Sequence, residues 1–265
     1  MAFATLGQDQ LTQAAAAYRQ LEKIRAWDAA TGFADITVYE GRFGDAVEIL
    51  EKGAAADNGS RRPDNASDKL AMLAYTQLLR QQKGPALEAA KSALGLSKRV
   101  KTRFLVAQVF VAAGETAKAR DLAAGLSSEL QIEPQAYSKL IEGEIALKSG
   151  DGREAVKLFS EANGLLDTWI GRFDLGKAYL EIGAFTEADS EFDRCIKRRG
   201  EALSLFLDPV PTYGYFPPVY YYQGRAREGM KSTGFAESYR TYLDIRSKAG
   251  EDLLLAEVRR RAGGK

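Results

Sequence analysis

The chain has 265 residues, and its 37 lysines and arginines against 36 aspartates and glutamates give a formal net charge of +1. That balance argues against nucleic-acid binding, which requires a concentrated positive surface to neutralise phosphates. With no histidine and one cysteine, the chain lacks disulfides, the usual zinc ligand sets and the commonest proton shuttle, so we expect no metal and no cofactor.

The sequence offers neither a membrane span nor an export signal. No apolar run reaches the ~20 residues that cross a bilayer. Residues 1–7 lack the basic start and long apolar segment of a signal peptide. We therefore expect a cytoplasmic protein without membrane insertion.

The start of the chain fits the second helix of a helical pair. Ala14 and Tyr18 have the spacing of that helix, but only residues 3–6 remain of a first helix. We therefore expect the chain to begin inside a repeat, as a portion of a longer protein would. The alternative is that a lone helix serves as the terminal cap.

One small-residue pattern then returns about every 34 residues. In its clearest copy a turn glycine, Gly183, is followed by Ala188, Phe192 and Cys195. The central alanines of five copies are 40, 33, 36 and 33 residues apart. Because apolar positions recur at three and four residues, each copy predicts two amphipathic helices joined by a turn. The copies define a partial unit at 1–26 and units at 27–66, 67–99, 100–134, 135–168 and 169–200.

Two segments interrupt this spacing. The polar, turn-forming run 58–65 predicts a lengthened loop that accounts for the 40-residue interval. Residues 201–217 form an insertion rich in proline and aromatic residues. A last unit follows at 217–250, and 251–265 predict a capping helix whose arginines complement the dipole at its end.

The pair Leu175-Gly176-x-x-Tyr179 and Ala188-x-x-x-Phe192 resembles the signature of the tetratricopeptide repeat, and the other units are similar over nearly the whole chain. The resemblance implies an all-α, right-handed superhelical solenoid of about six units with a C-terminal capping helix, forming one domain over residues 1–265. The closing stretch, 217–225 with 239–243, also resembles the C-terminal repeat regions of bacterial signalling proteins such as Ser/Thr protein kinases.

In the family that the chain resembles, the first helix of each unit lines a concave groove. The resemblance places these candidate partner-binding residues in the groove: Asp35, Tyr75, Phe104, Gln108, Leu140, Glu144, Phe173, Lys177, Tyr221 and Arg225. The polar members pass from acidic to basic along the chain, which suits a peptide bound in one direction. Alternatively, the apolar members pack between helices or against an inward-folded loop and leave no open site.

The aromatic insertion supplies a second set of candidates, Tyr213, Tyr215 and Phe216. Aromatic rings give a large contact area at low entropic cost. The alternative is a lid whose rings cover the gap left by the insertion.

No residue pattern indicates catalysis. Cys195 occupies a helix-packing position where thiols are usually inert. The turn at Gly150 lacks the preceding strand and following lysine of a phosphate loop. We therefore predict a non-catalytic scaffold that binds a protein or peptide in its groove, as a regulatory or recruiting part of a larger bacterial protein. The alternatives are a small-molecule or peptide sensor and a homo-oligomerisation module.

Overall fold

The computed structural model describes residues 2–205, 208–209 and 213–263, and most of them are helical. An N-terminal pair, α1 (Ala2–Gly7) and α2 (Leu11–Glu22), precedes a series of longer pairs. These are α3 (Ala26–Tyr39) with α4 (Phe43–Gly59), α5 (Pro63–Leu79) with α6 (Lys83–Leu96), α7 (Val100–Ala113) with α8 (Thr116–Ser127), α9 (Ile132–Lys148) with α10 (Gly152–Leu165), α11 (Trp169–Glu181) with α12 (Phe185–Lys197), and α13 (Pro218–Gly229) with α14 (Phe235–Ile245).

The last helix, α15 (Leu254–Ala262), packs on α14 through a small cluster of its own. Between α12 and α13 lie the 3₁₀ helices Arg199–Leu203 and Tyr213–Tyr215, and a two-stranded antiparallel ladder of β1 (Ser204–Leu205) and β2 (Asp208–Pro209). Each helix packs chiefly against the next one along the chain, as in a solenoid. None of the helices in the described ranges is long and apolar enough to cross a bilayer.

The turns within the pairs depend on the left-handed backbone conformation. Gly114, Gly150 and Gly183 have φ values of 80°, 85° and 76°, a region that glycine enters without steric cost. Gln81 takes the same conformation, with φ of 60°. The turn geometry is therefore retained where the repeat replaces glycine.

Small residues on first helices let the aromatic rings of second helices approach closely. A Cβ added at Gly176 would lie 2.6 Å from the ring of Phe192, and one added at Gly143 would lie 2.5 Å from the ring of Phe159. Both phenylalanines are fully buried. This contact explains why small and aromatic residues recur together in the repeat.

The expected loop at 58–65 is wrong, because most of this run is helical. α4 continues to Gly59 and α5 begins at Pro63, so each helix has 17 residues. A buried ion pair holds the short turn between them: Lys69 Nζ donates to Asp57 Oδ2 at 2.6 Å. The 40-residue interval between the central alanines therefore comes from two long helices and not from a long loop.

The C-terminal end of the array returns to its beginning. Arg246 Nη1 donates to the carbonyl of Val38 at 2.5 Å, and the Arg80 guanidinium pairs with the Glu251 carboxylate at 2.5 Å. At the N-terminal end, α1 packs against the 3₁₀ helix Arg199–Leu203. These contacts enclose the inner face, which is formed by α3, α5, α7, α9, α11 and α13.

Candidate functional site

The aromatic insertion folds into the inner face. Tyr215 stacks on Tyr75 of α5, with ring centroids 3.9 Å apart. The Gly214 backbone N–H donates to the buried Asp35 carboxylate of α3 at 3.0 Å. Phe216 is fully buried. The segment therefore fills part of the groove, as the inward-folded loop alternative described.

A cavity of about 550 Å³ remains on the inner face. Residues of α5, α7, α9, α11 and α13 line it together with Tyr215 and Leu254. Its walls are largely apolar and aromatic, and include Tyr75, Leu78, Val111, Leu147, Phe173 and Tyr222. An apolar enclosure of this size with a few convergent polar groups is typical of ligand-binding sites.

Four polar side chains lie together in this cavity. Gln108 Nε2 donates to Glu144 Oε1 at 2.8 Å, and Lys177 Nζ donates to Asp174 Oδ1 at 2.9 Å. The Asp174 side chain is 3% exposed. Asp174 Oδ2 and Gln108 Oε1 are buried and accept no hydrogen bond from nitrogen or hydroxyl donors of the described residues.

Burial controls the charges of this cluster. Burial, followed by the negative charge of Asp174, raises the pKa of Glu144 to about 8. Burial by itself lowers the pKa of Lys177, but the charges of Asp174, Tyr222 and Glu144 outweigh it, so the pKa is raised. These shifts favour the protonated form of Glu144 at neutral pH, while Lys177 is a cation paired with Asp174.

The cavity brings together about half of the residues predicted from the sequence. Six of these candidates line it: Tyr75, Gln108, Glu144, Phe173, Lys177 and Tyr215. They come from positions spread over 141 residues, since Tyr75 and Tyr215 are the first and last of them. The polar members of the predicted groove thus lie next to an aromatic residue of the insertion.

The other predicted residues lie elsewhere. Phe104 and Leu140 are almost completely buried, and Phe104 stacks on Tyr137 with ring centroids 4.5 Å apart. Tyr221 and Arg225 contact each other in the last pair, where the Arg225 guanidinium donates to the Tyr221 hydroxyl at 3.1 Å. Asp35 holds the insertion and Phe216 is buried, as described above, and the side chain of Tyr213 lies outside the described part of the chain.

Sequence reasoning missed Asp174, Tyr222 and Leu254. Asp174 carried a usable signal, because a carboxylate three residues before Lys177 shares its helix face. Leu254 carried no such signal, since it reaches the cavity only because the C-terminal end of the chain packs back against the beginning of the array.

The single thiol lies apart from the cavity. Cys195 is buried, and its Sγ contacts the Trp169 carbonyl at 3.7 Å. Burial raises the pKa of this thiol well above its ordinary value. Within the described ranges, no group of three or more histidine, cysteine, aspartate or glutamate side chains could hold a metal ion.

Comparison with known proteins gives matches at the level of structure. No protein-family model matches the sequence, and no curated protein matches it significantly. The Rap protein complexed with Competence and Sporulation Factor superposes with a TM-score of 0.59 at 15% identity, over 93% of this chain and 73% of that chain.

Two further structures superpose over nearly the whole chain. A tetratricopeptide repeat protein from Parabacteroides merdae gives a TM-score of 0.54 at 11% identity, over 99% of this chain and 96% of that chain. The APC/C hetero-tetramer Cut9-Hcn1 gives a TM-score of 0.53 at 13% identity, over 98% of this chain and 48% of that chain. The prediction of fold is thereby confirmed: the chain has the all-α solenoid fold of tetratricopeptide-repeat proteins.

Proposed function

We propose that this protein is a non-catalytic recognition module that binds a short peptide segment or a compact ligand in the cavity of its inner face. The observation that carries the proposal is the convergence of Gln108, Glu144, Asp174 and Lys177 inside an otherwise apolar enclosure. Apolar walls supply affinity, while a few placed polar groups fix the orientation of a ligand.

The volume of the cavity favours a short segment over a long groove-bound partner. At about 550 Å³ it falls within the ~300–1,000 Å³ range of ligand sites. The inserted Tyr215 occupies part of the inner face beside Tyr75. A similar solenoid, the Rap protein, is found complexed with Competence and Sporulation Factor, which is compatible with recognition by this fold.

The homo-oligomerisation alternative depended on exposed rings of the insertion or on an open first helix. Phe216 is fully buried, and α1 packs against the 3₁₀ helix Arg199–Leu203. Phe216 and α1 are thus engaged inside the molecule, so we favour recognition of another molecule. We place this recognition in the cytoplasm, in a regulatory or recruiting role within a larger bacterial protein, because of the resemblance of residues 217–225 and 239–243 to bacterial signalling proteins.

A blocked cavity tests the proposal. Ala112 is exposed and lines the cavity, so Ala112→Trp narrows the cavity without altering the core. Ala117→Trp, at an exposed position of α8 away from the cavity, is the matched control. Pentapeptides are selected for binding to the wild type from a random library. Their affinity should fall about tenfold or more for Ala112→Trp and stay unchanged for Ala117→Trp.

Two results would refute the proposal. One is that the selected pentapeptides bind both tryptophan variants as tightly as the wild type, which would place their site elsewhere. The other is that a library of pentapeptides and of drug-sized molecules yields no specific binder.

A further inference from the structure

We propose that the ligand of this cavity carries a positively charged ammonium or guanidinium group, which binds against Glu144, Asp174 and Gln108. This inference rests on the proposed function, because it names the chemistry of the ligand in the same cavity. The charged group can belong to a peptide, as a lysine or arginine side chain, or to a free amine.

Unused hydrogen-bond acceptors are the first reason. Asp174 Oδ2 and Gln108 Oε1 are buried without a nitrogen donor among the described residues. Asp174 is 2% exposed, and its hydrogen bond with the Glu144 side chain lasts only while the Glu144 carboxyl keeps its proton. A buried acceptor without a donor is costly, so a group rich in N–H donors is stabilised there. Ammonium and guanidinium groups offer several donors and no acceptor.

The charge count is the second reason. Two carboxyl groups, Glu144 and Asp174, and two ammonium groups, Lys177 and Lys148, line the cavity. Lys177 donates to Asp174, whereas Lys148 is exposed to solvent and donates to the Ala112 carbonyl at 3.0 Å. With Glu144 ionised, the cluster of Glu144, Asp174 and Lys177 carries one net negative charge, which a single cation neutralises.

The surrounding backbone and rings act in the same direction. Leu78, Ala112 and Leu147 line the cavity from the last turns of α5, α7 and α9, and helix C-termini stabilise cations. The aromatic walls tolerate a cation, since Lys177 Nζ lies 5.4 Å from the centre of the Phe173 ring, within the range of a cation–π contact. The same features oppose the entry of an anion.

Glu144 would exchange its proton for the ligand. Burial and the charge of Asp174 raise the pKa of Glu144 to about 8, which favours the neutral carboxyl at neutral pH. The groups that surround it are Asp174 and Lys177 on α11, Gln108 on α7, Tyr75 on α5, Tyr215 of the insertion, Tyr222 on α13, and Lys148 on its own helix. A bound cation favours the ionised form, so binding should release a proton and become tighter as the pH rises toward 8 and above.

Competition calorimetry with defined probes tests the inference. The probes are pools of end-blocked pentapeptides that are randomised except at the centre, which is lysine, norleucine or glutamate, together with n-hexylamine and n-hexanol. At about pH 8 the lysine pool should bind about tenfold more tightly than the norleucine pool, and its advantage should shrink at about pH 6. Stronger binding by the lysine pool than by n-hexylamine identifies a peptide-borne charge, and the reverse identifies a free amine.

A variant pair isolates the carboxyl group. Glu144→Gln keeps the shape and the hydrogen bond with Gln108, and it should remove the proton release and about tenfold of the preference for lysine over norleucine. Glu142→Gln, on the same helix but outside the cavity, should leave both unchanged. If Glu144→Gln were unfolded by circular dichroism, the comparison of lysine and norleucine on the wild type would decide.

The outcomes separate the inference from the proposed function. In one outcome, the norleucine or glutamate pool binds as tightly as the lysine pool or more tightly, and loses this binding in Ala112→Trp. That result would overturn the cationic ligand and leave the recognition function standing. Absence of binding by every pool and by both hexyl compounds would also overturn the inference. The function itself is decided separately, by the unrestricted library.

Discussion

The enclosure of the inner face depends on Arg246, and replacing it tests that reasoning. Arg246 is 2% exposed. Its guanidinium donates to the Val38 carbonyl at 2.5 Å, lies 3.4 Å from the Asp252 carboxylate and sits 5.3 Å from the centre of the Phe43 ring. The substitution Arg246→Ala leaves a buried carboxylate and a buried carbonyl without this partner.

The expected loss follows from burial. Removing one member of a buried ion pair costs about 3–5 kcal/mol, and here the Asp252 charge would keep only neutral donors, the Tyr242 hydroxyl and the Leu254 backbone N–H. The other contacts across this junction cannot replace it. In Arg80–Glu251 and Lys248–Glu40 at least one side chain of each pair is substantially exposed, and such bridges contribute about 0–1 kcal/mol each.

Urea unfolding and hydrogen exchange measure the effect of Arg246→Ala on stability. Arg246→Ala should lower the free energy of unfolding by about 3–5 kcal/mol and speed exchange in α15 and at the end of α3. Arg240→Ala, at an exposed position of α14, the helix that ends directly before Arg246, should change the free energy of unfolding by no more than about 0.5 kcal/mol. A loss below about 1 kcal/mol for Arg246→Ala, with unchanged exchange, would show that the ends of the array do not depend on this contact.

Three further predictions concern packing, protonation and the thiol. Gly176→Ala should destabilise the protein by about 1–3 kcal/mol in urea unfolding, since its Cβ would lie 2.6 Å from a Phe192 ring carbon. Gly164→Ala should not destabilise the protein, because no atom lies within 4 Å of the added Cβ. Equal losses of stability in the two variants would contradict the packing argument. Because the folded state raises the pKa of Glu144 from 4.5 to about 8, it holds an extra proton between these values, so the free energy of unfolding should fall as the pH rises through this range. Glu144→Gln should flatten this fall, and an unchanged pH profile would show that another group is responsible. Cys195 is buried with a raised pKa, so iodoacetamide should label it at neutral pH only in denaturant, and rapid labelling of the folded protein would contradict its burial.

The helices and turns could be predicted from the sequence because the residues that cause them lie close together in it. Apolar residues at three and four positions fix one face of a helix, and Gly183 permits the left-handed turn that follows. The contact between Gly176 and Phe192 joins residues only 16 apart. The one local failure, at residues 58–65, arose because turn-forming composition did not reveal the buried pair of Asp57 and Lys69.

The repeat therefore determined by itself that the chain forms paired helices, since this property depends on neighbours within a unit. Which first-helix residues reach the cavity followed from it only in part, because Gln108 and Glu144 line the cavity while Phe104 and Leu140 are buried in the packing. The repeat could not determine what covers the inner face. Gly214 meets Asp35 across 179 residues of sequence, and Arg246 meets Val38 across 208. Neither contact has a periodic signature, because each depends on the accumulated curvature of all the intervening pairs. Only the tertiary structure closes the predicted groove into a cavity and places Asp174 and Glu144 within it.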